Sequence, residues 1–183
     1  MDVLAQWDVI VPEFQRIAGK VDPADVGRPT PCSEWAVRDL LDHLIAGATT
    51  FAAVVRGEEP PVVGETPDNA KLAAATSALA DIDGAFRSPG ALERVVATPF
   101  GEMPGETFAR LLAFDVLMHT WDLASSTGQQ VEVTDAVVTE VDGFARAAVT
   151  PELRGPNTFG PETPAKDGAS TLERLVAFSG RTP

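Results

Sequence analysis

Apolar residues recur every three or four positions through four long stretches of this 183-residue chain, and proline or glycine bounds most of these stretches. This spacing places the apolar side chains on one face of a helix. Helices of roughly twenty residues are about 30 Å long, the dimension of a four-helix bundle. The pattern therefore predicts an all-α fold, a four-helix bundle with short extra helices and a long C-terminal loop, in a single domain over residues 1–183.

Residues that favour helix starts predict where the individual helices begin. The first helix is expected within residues 2–20, and the fourth is expected to end at Ser126. Residues 94–105 predict a short extended piece and a turn. The expected starts of the second, third, fourth, fifth and last helices are Ser33, Thr66 with Pro67, Glu106, Thr134, and Ser170 with Glu173.

The charge of the chain narrows the classes of partner. With 27 acidic and 14 basic residues the formal charge is −13, which argues against binding to nucleic acids or anionic membranes. The single cysteine, Cys32, excludes an intramolecular disulfide and fits a reducing compartment. The N-terminus does not resemble a signal peptide, and no apolar run approaches membrane-spanning length. We therefore expect a cytoplasmic protein.

The chain has two histidines, and each follows an aspartate by four residues: Asp39 precedes His43, and Asp115 precedes His119. On a helix these positions share one face, about 5–6 Å apart at Cβ. Such a carboxylate and imidazole can hold one divalent ion together. They can equally form a surface ion pair or a helix cap, which is the more common role of a single pair. The spacing alone leaves both interpretations open.

The fourth helix favours the metal interpretation. A buried carboxylate is costly unless it is paired or binds a metal, and the expected core-facing sector contains no lysine or arginine. We therefore expect a cation to supply the counter-charge. His43 lies at the flank of its apolar stripe, where Asp39 can hydrogen-bond the other ring N–H. The sector of roughly 120° on the fourth helix contains Phe108, Leu111, Leu112, Asp115, His119, Asp122 and Leu123.

Other residues near these pairs point less clearly to chemistry. Cys32 precedes His43 by about eleven residues, or about 16 Å of straight helix, which is too far for a shared ion. A place just before a helix N-terminus would stabilise its thiolate. Ser33 is interpreted as a helix cap rather than a nucleophile. Trp35 and Trp121 are interpreted as packing residues, although Trp121 could also line a pocket.

Several segments resemble a known family. The segments TPCSEWAVRDLLDHLIAG (30–47) and LLAFDVLMHTWDLASSTG (111–128) closely resemble the two signature segments of the DinB-like metal-binding superfamily. Its actinobacterial branch includes the mycothiol-dependent maleylpyruvate isomerases. TPFGEMPG (98–105), NTFGPE (157–162) and LERLVAFSGRTP (172–183) resemble that branch, so the similarity covers nearly the whole chain.

The resemblance implies metal ligands at His43, Asp115 and His119, with Asp122 as a hydrogen-bonding partner of a ligand or as a packing residue. The isomerases usually have glutamate where this chain has Asp115. Three protein ligands leave a coordination position for water or substrate. Two imidazoles and a carboxylate suit Zn²⁺, and also Ni²⁺, Fe²⁺ or Mn²⁺. The resemblance further implies a low-molecular-weight thiol such as mycothiol and a small-molecule electrophilic substrate.

These implications support several functions. The first hypothesis is a metal- and thiol-dependent transferase or isomerase, with hydrolysis by metal-activated water as an alternative within the enzyme class. A second is a non-catalytic protein that binds a metal or a small molecule. A third is a bundle whose acids only form salt bridges. The isomerase's second, C-terminal domain has no counterpart here, so we do not carry over its specific activity. A homodimer, paired along an exposed helix face, stays open.

Overall fold

Helices dominate the computed structural model, which describes residues 1–32, 34–99, 101–155 and 159–183. Six α-helices and one β-hairpin are formed by these residues, so the all-α prediction is confirmed. No helix in the described part of the chain is both long and apolar enough to span a bilayer. The elements are α1 (Val3–Ala18), α2 (Val37–Arg56), α3 (Lys71–Phe86), β1 (Val95–Thr98), β2 (Gly101–Pro104), α4 (Gly105–Ser126), α5 (Asp135–Ala148) and α6 (Thr171–Phe178).

The first four helices form the bundle. Helices α1 and α2 each pack against both α3 and α4, which closes a ring of four helices around a shared core. Helix α5 covers another side of α4, and α6 packs on α5. Side chains are therefore buried on nearly every side of α4, including Phe114 and Met118. The expectation of a single buried stripe on this helix was wrong, because three helices surround it.

Two helices begin later than expected. Helix α2 begins at Val37, and Ser33, the expected cap, lies outside the described residues. Helix α3 begins at Lys71, after a 3₁₀ turn over Asp68–Ala70 rather than at the predicted Thr66–Pro67 start. Starts of this kind depend on which backbone N–H groups find acceptors, and sequence alone resolves them poorly.

Other boundaries match the expectations. Helix α5 follows Thr134 directly. Before α6, the Ser170 N–H donates to Glu173 Oε2 at 2.6 Å, and the Glu173 N–H donates to Ser170 Oγ at 3.2 Å, which is the predicted capping box. The extended piece and turn predicted for residues 94–105 form the antiparallel hairpin of β1 and β2.

The hairpin joins α4 through a close backbone approach at Gly105. The Gly105 N–H donates to the Arg94 carbonyl at 2.8 Å. A Cβ atom at Gly105 would lie 2.0 Å from the Ala91 carbonyl oxygen, a distance that no side chain tolerates. Glycine is therefore required where α4 begins.

Replacing Gly105 with alanine is expected to lower the free energy of unfolding by about 3 kcal/mol, because backbone must move to admit the methyl group. For a domain of this size that corresponds to a melting temperature about 6–12 °C lower. The matched control is Gly84→Ala in the exposed face of α3, where a Cβ meets nothing within 4 Å. The control should gain about 0.5–1 kcal/mol. Equal melting of Gly105→Ala and wild type would contradict the close approach.

Candidate metal centre

Two helices bring the two histidines and one aspartate together. His43 lies on α2, and Asp115 and His119 lie one turn apart on α4. The imidazole rings have their centroids 4.8 Å apart, and one donor atom from each of the three residues lies within 4.8 Å of the others. No other such group of histidine, cysteine and acidic side chains occurs among the described residues. The structure thus places the three predicted ligands at one point of the bundle.

The Asp115 carboxylate lies between the two imidazoles, with one oxygen facing each ring. Asp115 Oδ2 lies 3.4 Å from His43 Nε2, and Asp115 Oδ1 lies 3.4 Å from His119 Nε2. An N–H···O hydrogen bond is usually 2.9–3.0 Å long. Both separations are longer than that. Two imidazoles and a carboxylate whose donor atoms lie within 4.8 Å of one another suit a divalent ion.

The opposite nitrogen of His119 is held by Asp122. Nδ1 of His119 lies 3.0 Å from Asp122 Oδ2, and the Asp122 side chain is 0% exposed. An ionised carboxylate only accepts hydrogen bonds, so Nδ1 must donate. In the neutral form that would bind a metal, a proton on Nδ1 leaves the Nε2 lone pair directed at the donor set. Of the two roles expected for Asp122, hydrogen-bonding partner of a predicted ligand or packing residue, the contact with His119 Nδ1 favours the first.

Arg181 supplies a charge that sequence reasoning missed. Its guanidinium donates from Nε to Asp122 Oδ1 at 3.1 Å and from a terminal nitrogen to Asp122 Oδ2 at 2.8 Å. The sequence analysis assigned the counter-charge of the acids on α4 to a bound cation. For Asp122 that was wrong, because Arg181 arrives from the segment after α6, far away in sequence. Asp115 has no arginine or lysine partner among the described residues, so the argument for a cation still holds there.

The expected contact between Asp39 and His43 does not form. Asp39 Oδ2 instead accepts the Ala36 N–H at 2.8 Å, at the start of α2. The first backbone N–H groups of a helix have no partner within the helix, and a carboxylate there is also favoured by the helix dipole. Because α2 begins at Val37 rather than Ser33, Asp39 falls in its first turn and acts as a cap.

Trp35 lies closer to the centre than the sequence indicated. The Trp35 ring stacks on His119 at 5.6 Å and 18°, and its centroid is 5.1 Å from that of His43. Trp35 therefore covers both imidazoles rather than only packing in the core. No signal in a single sequence indicates this, because the contact depends on the loop before α2.

The loop before α2 also bears on the interpretation of Cys32. The distance from Cys32 to His43 was inferred for one straight helix, whereas α2 begins only at Val37. Cys32 is still not among the grouped donors. Burial raises the pKa of the Cys32 thiol, and the charge of Arg181 only partly opposes this. Burial therefore works against the thiolate form that a helix N-terminus would favour.

The buried charges of the centre stabilise one another. Burial opposes ionisation of Asp115, but His119 and His43 outweigh it and hold the pKa of that carboxyl far below its usual value. Burial likewise opposes protonation of His119, but the carboxylates of Asp115 and Asp122 raise its pKa to about 9. For Asp122, the hydrogen bonds from His119 and Arg181 overcome burial and lower the pKa. Without metal, His119 is thus an imidazolium between two carboxylates at neutral pH.

This arrangement predicts a pH dependence of the metal-free protein. The pKa of His119 is raised from 6.5 to about 9 by folding, so its contribution is complete below pH 6.5 and is lost as the pH rises through about 9. We expect the free energy of unfolding to fall by up to about 3 kcal/mol between these values. Urea unfolding with a chelator present measures it. A His119→Gln control should lack this fall, and a wild-type curve without it would contradict the charge arrangement.

An apolar cavity of about 180 Å³ lies directly beside the donor set. His43 and Asp115 form part of its wall, and the rest comes chiefly from the four bundle helices. The His43 side chain is 40% exposed, as expected for a ligand with an open side. The centre therefore combines three donor atoms with an adjoining space for a small molecule.

Comparison with known proteins places this chain in a family. A family model described as the mycothiol maleylpyruvate isomerase N-terminal domain matches residues 7–124, a span that contains His43, Asp115 and His119. The chain belongs to this family. Two uncharacterized proteins of Mycobacterium tuberculosis, from strains CDC 1551 / Oshkosh and ATCC 25618 / H37Rv, are each 34% identical over 183 residues, covering 100% of the chain and 99% of the relative.

Solved structures of the mycothiol-dependent maleylpyruvate isomerase share the family fold. One matches with a TM-score of 0.60 at 21% identity, and a point mutant of that enzyme matches with a TM-score of 0.65 at 19% identity. Each alignment covers 82% of this chain and 69% of the isomerase chain. At these identities the likeness establishes the fold and confirms the helical architecture, and the family model confirms the resemblance found in the sequence.

Proposed function

We propose that this protein binds one divalent metal ion through His43, Asp115 and His119 and uses it, with a low-molecular-weight thiol of the mycothiol type, as a transferase or isomerase on a small electrophilic substrate. The observation that carries the proposal is the convergence of one donor atom each from His43, Asp115 and His119 to within 4.8 Å of one another. Membership of the mycothiol maleylpyruvate isomerase N-terminal domain family supports the thiol.

Each residue of the centre has a distinct part in this function. When bound, the ion supplies a Lewis acid that lowers the pKa of a thiol or water at its remaining position. Asp122 holds His119 in the tautomer whose Nε2 is free, and Arg181 fixes Asp122 with two hydrogen bonds. The Trp35 ring covers both imidazoles. The cavity offers the space in which a substrate lies within reach of the donor set.

A non-catalytic binding protein of the same fold is the second candidate. It is favoured by the composition of the cavity, in which His43 and Asp115 are the only ionisable residues along the described wall. General acid–base catalysis needs a titratable group within hydrogen-bond reach of the reacting atoms. If His43 and Asp115 both hold the ion, the described wall provides no other titratable group for catalysis.

Metal content and turnover together test these functions. We expect protein purified without a polyhistidine tag to contain about one ion of Zn, Ni, Fe or Mn per chain by elemental analysis. Turnover is measured with mycothiol and 1-chloro-2,4-dinitrobenzene: the thiol loses its proton to solvent, its sulfur forms the new C–S bond, and chloride leaves with its bonding pair. A Cys32→Ser background removes the protein's own thiol. Absence of stoichiometric metal overturns the proposal, whereas bound metal without thiol turnover supports the binding protein.

A further inference from the structure

The cavity beside the donor set is built for an apolar group. Its inner wall consists of buried aliphatic and aromatic side chains from α1, α2, α3 and α4. Partly exposed residues, among them Phe51 and Phe159, complete the wall. The buried aliphatic residues of the wall are Leu44, Ala48, Leu79, Ile82 and Val116.

Charge in this cavity is confined to one place. The indole of Trp7, which also lines the cavity, donates its N–H to the Ala109 carbonyl at 3.1 Å and has no donor left for a ligand. Along the described wall only His43 and Asp115 are ionisable, and neither lysine nor arginine contributes. Arg181 is engaged with Asp122. A carboxylate placed deep in this space would lose its hydration without gaining a partner, which is costly.

The size of the cavity limits what it can hold. A protein cavity of about 150 Å³ lined by leucine, isoleucine and phenylalanine binds benzene, and this one measures about 180 Å³. His43 and Phe51 are two turns apart on α2, or about 12 Å. A molecule with its polar end at His43 can therefore extend an aromatic ring or a chain of about six carbons toward Phe51.

We infer that the substrate of this centre is an apolar electrophile: its reacting polar end lies at His43 and Asp115, and an uncharged group of benzene-ring or hexyl size fills the cavity. The inference rests on the proposed function, because the ion would anchor the polar end. It separates this chain's substrate from dicarboxylates, whose second charge would fall against the apolar wall. Burial of each methylene of such a group gains about a three- to fourfold increase in affinity.

Hydroxamates of graded tail test this inference on the full chain loaded with Co²⁺, since the hydroxamate head binds metal and cobalt reports coordination in its visible spectrum. We compare acetohydroxamate, hexanohydroxamate and succinate monohydroxamate by calorimetry. Hexanohydroxamate should bind about 100-fold more tightly than acetohydroxamate, because four methylenes enter the cavity. The carboxylate-tailed probe should bind no more tightly than acetohydroxamate.

A filled-cavity variant locates the effect. An added Cβ at Gly47, which lines the cavity one turn after His43, would have only the Phe51 ring within 4 Å, at 3.9 Å. Gly47→Leu should reduce the affinity ratio of hexanohydroxamate to acetohydroxamate at least tenfold. Ala46→Leu, on the exposed face of α2, is the matched control and should leave the ratio unchanged.

The outcomes separate the two proposals. The inference is overturned, and the metal centre stands, if cobalt binds but the affinities of the three probes differ less than threefold. The same holds if succinate monohydroxamate binds as tightly as hexanohydroxamate. A wild-type ratio that Gly47→Leu and Ala46→Leu alter equally also overturns it. Failure to bind cobalt overturns the proposed function and the inference with it.

Discussion

Protein carrying His119→Ala is expected to retain no stoichiometric divalent metal. The substitution removes one of three donor residues, and with it the only buried imidazole of the set. Loss of a residue that merely supports a ligand typically costs 10–100-fold in metal affinity. Loss of the ligand itself should therefore weaken binding by more than about 100-fold. Elemental analysis of untagged protein and competition with a chromophoric chelator measure retention and affinity.

The same variant is also expected to melt at a lower temperature, because the two aspartates lose their contacts with His119. Asp122 keeps its two hydrogen bonds from Arg181, so only Asp115 is left with His43 alone. A histidine outside the centre would be the matched control, but the chain has only two histidines. The control is therefore Asp39→Ala. That change removes the α2 cap and should cost about 1 kcal/mol or less while metal is retained. Equal metal content in wild type and His119→Ala would contradict the assignment of α4 to the centre.

Arg181→Ala is expected to lower both stability and metal affinity although Arg181 contacts no donor residue. It leaves the fully buried Asp122 carboxylate with His119 as its only charged partner. Breaking a buried pair from one side typically costs 3–5 kcal/mol. We expect a loss of about 3 kcal/mol, or about 6–12 °C in melting temperature. Because Asp122 orients His119, metal affinity should also fall about 10–100-fold.

Two further variants distinguish positioning from a general loss of stability. Arg181→Lys keeps the charge but cannot form the forked pair with Asp122, so its metal affinity should lie between those of wild type and Arg181→Ala. Arg56→Ala removes a solvent-exposed pair with Asp81 at the far end of α2 and should cost less than about 1 kcal/mol with metal affinity unchanged. Metal affinity of Arg181→Ala equal to wild type would show that Arg181 serves the fold alone.

Local sequence patterns predicted the elements of this fold well. Helical periodicity indicated the bundle, and the Ser170–Glu173 box marked the start of α6. These features depend on residues within one or two turns of each other. The start of α2 was misplaced because the loop before it uses the Asp39 carboxylate to satisfy a backbone N–H.

The centre was predictable only where its residues share a helix or where the family resemblance implied their role. Asp115, His119 and Asp122 lie within two turns of α4, and the family resemblance indicated His43. Arg181 and Trp35 reach the same place from chain segments whose position is decided by tertiary packing. A single sequence carries no record of such pairings, since neither periodicity nor spacing connects residue 35 or 181 to residue 119.

The contact between Arg181 and Asp122 also bears on how this family is divided into autonomous units. The matched span ends at residue 124 and includes every donor atom, but it excludes the guanidinium that neutralises Asp122. A fragment that ends at residue 124 would keep the predicted ligands but would lose the contact between Arg181 and Asp122. Failure of that fragment to bind an ion would then be caused by the missing arginine rather than by the ligands.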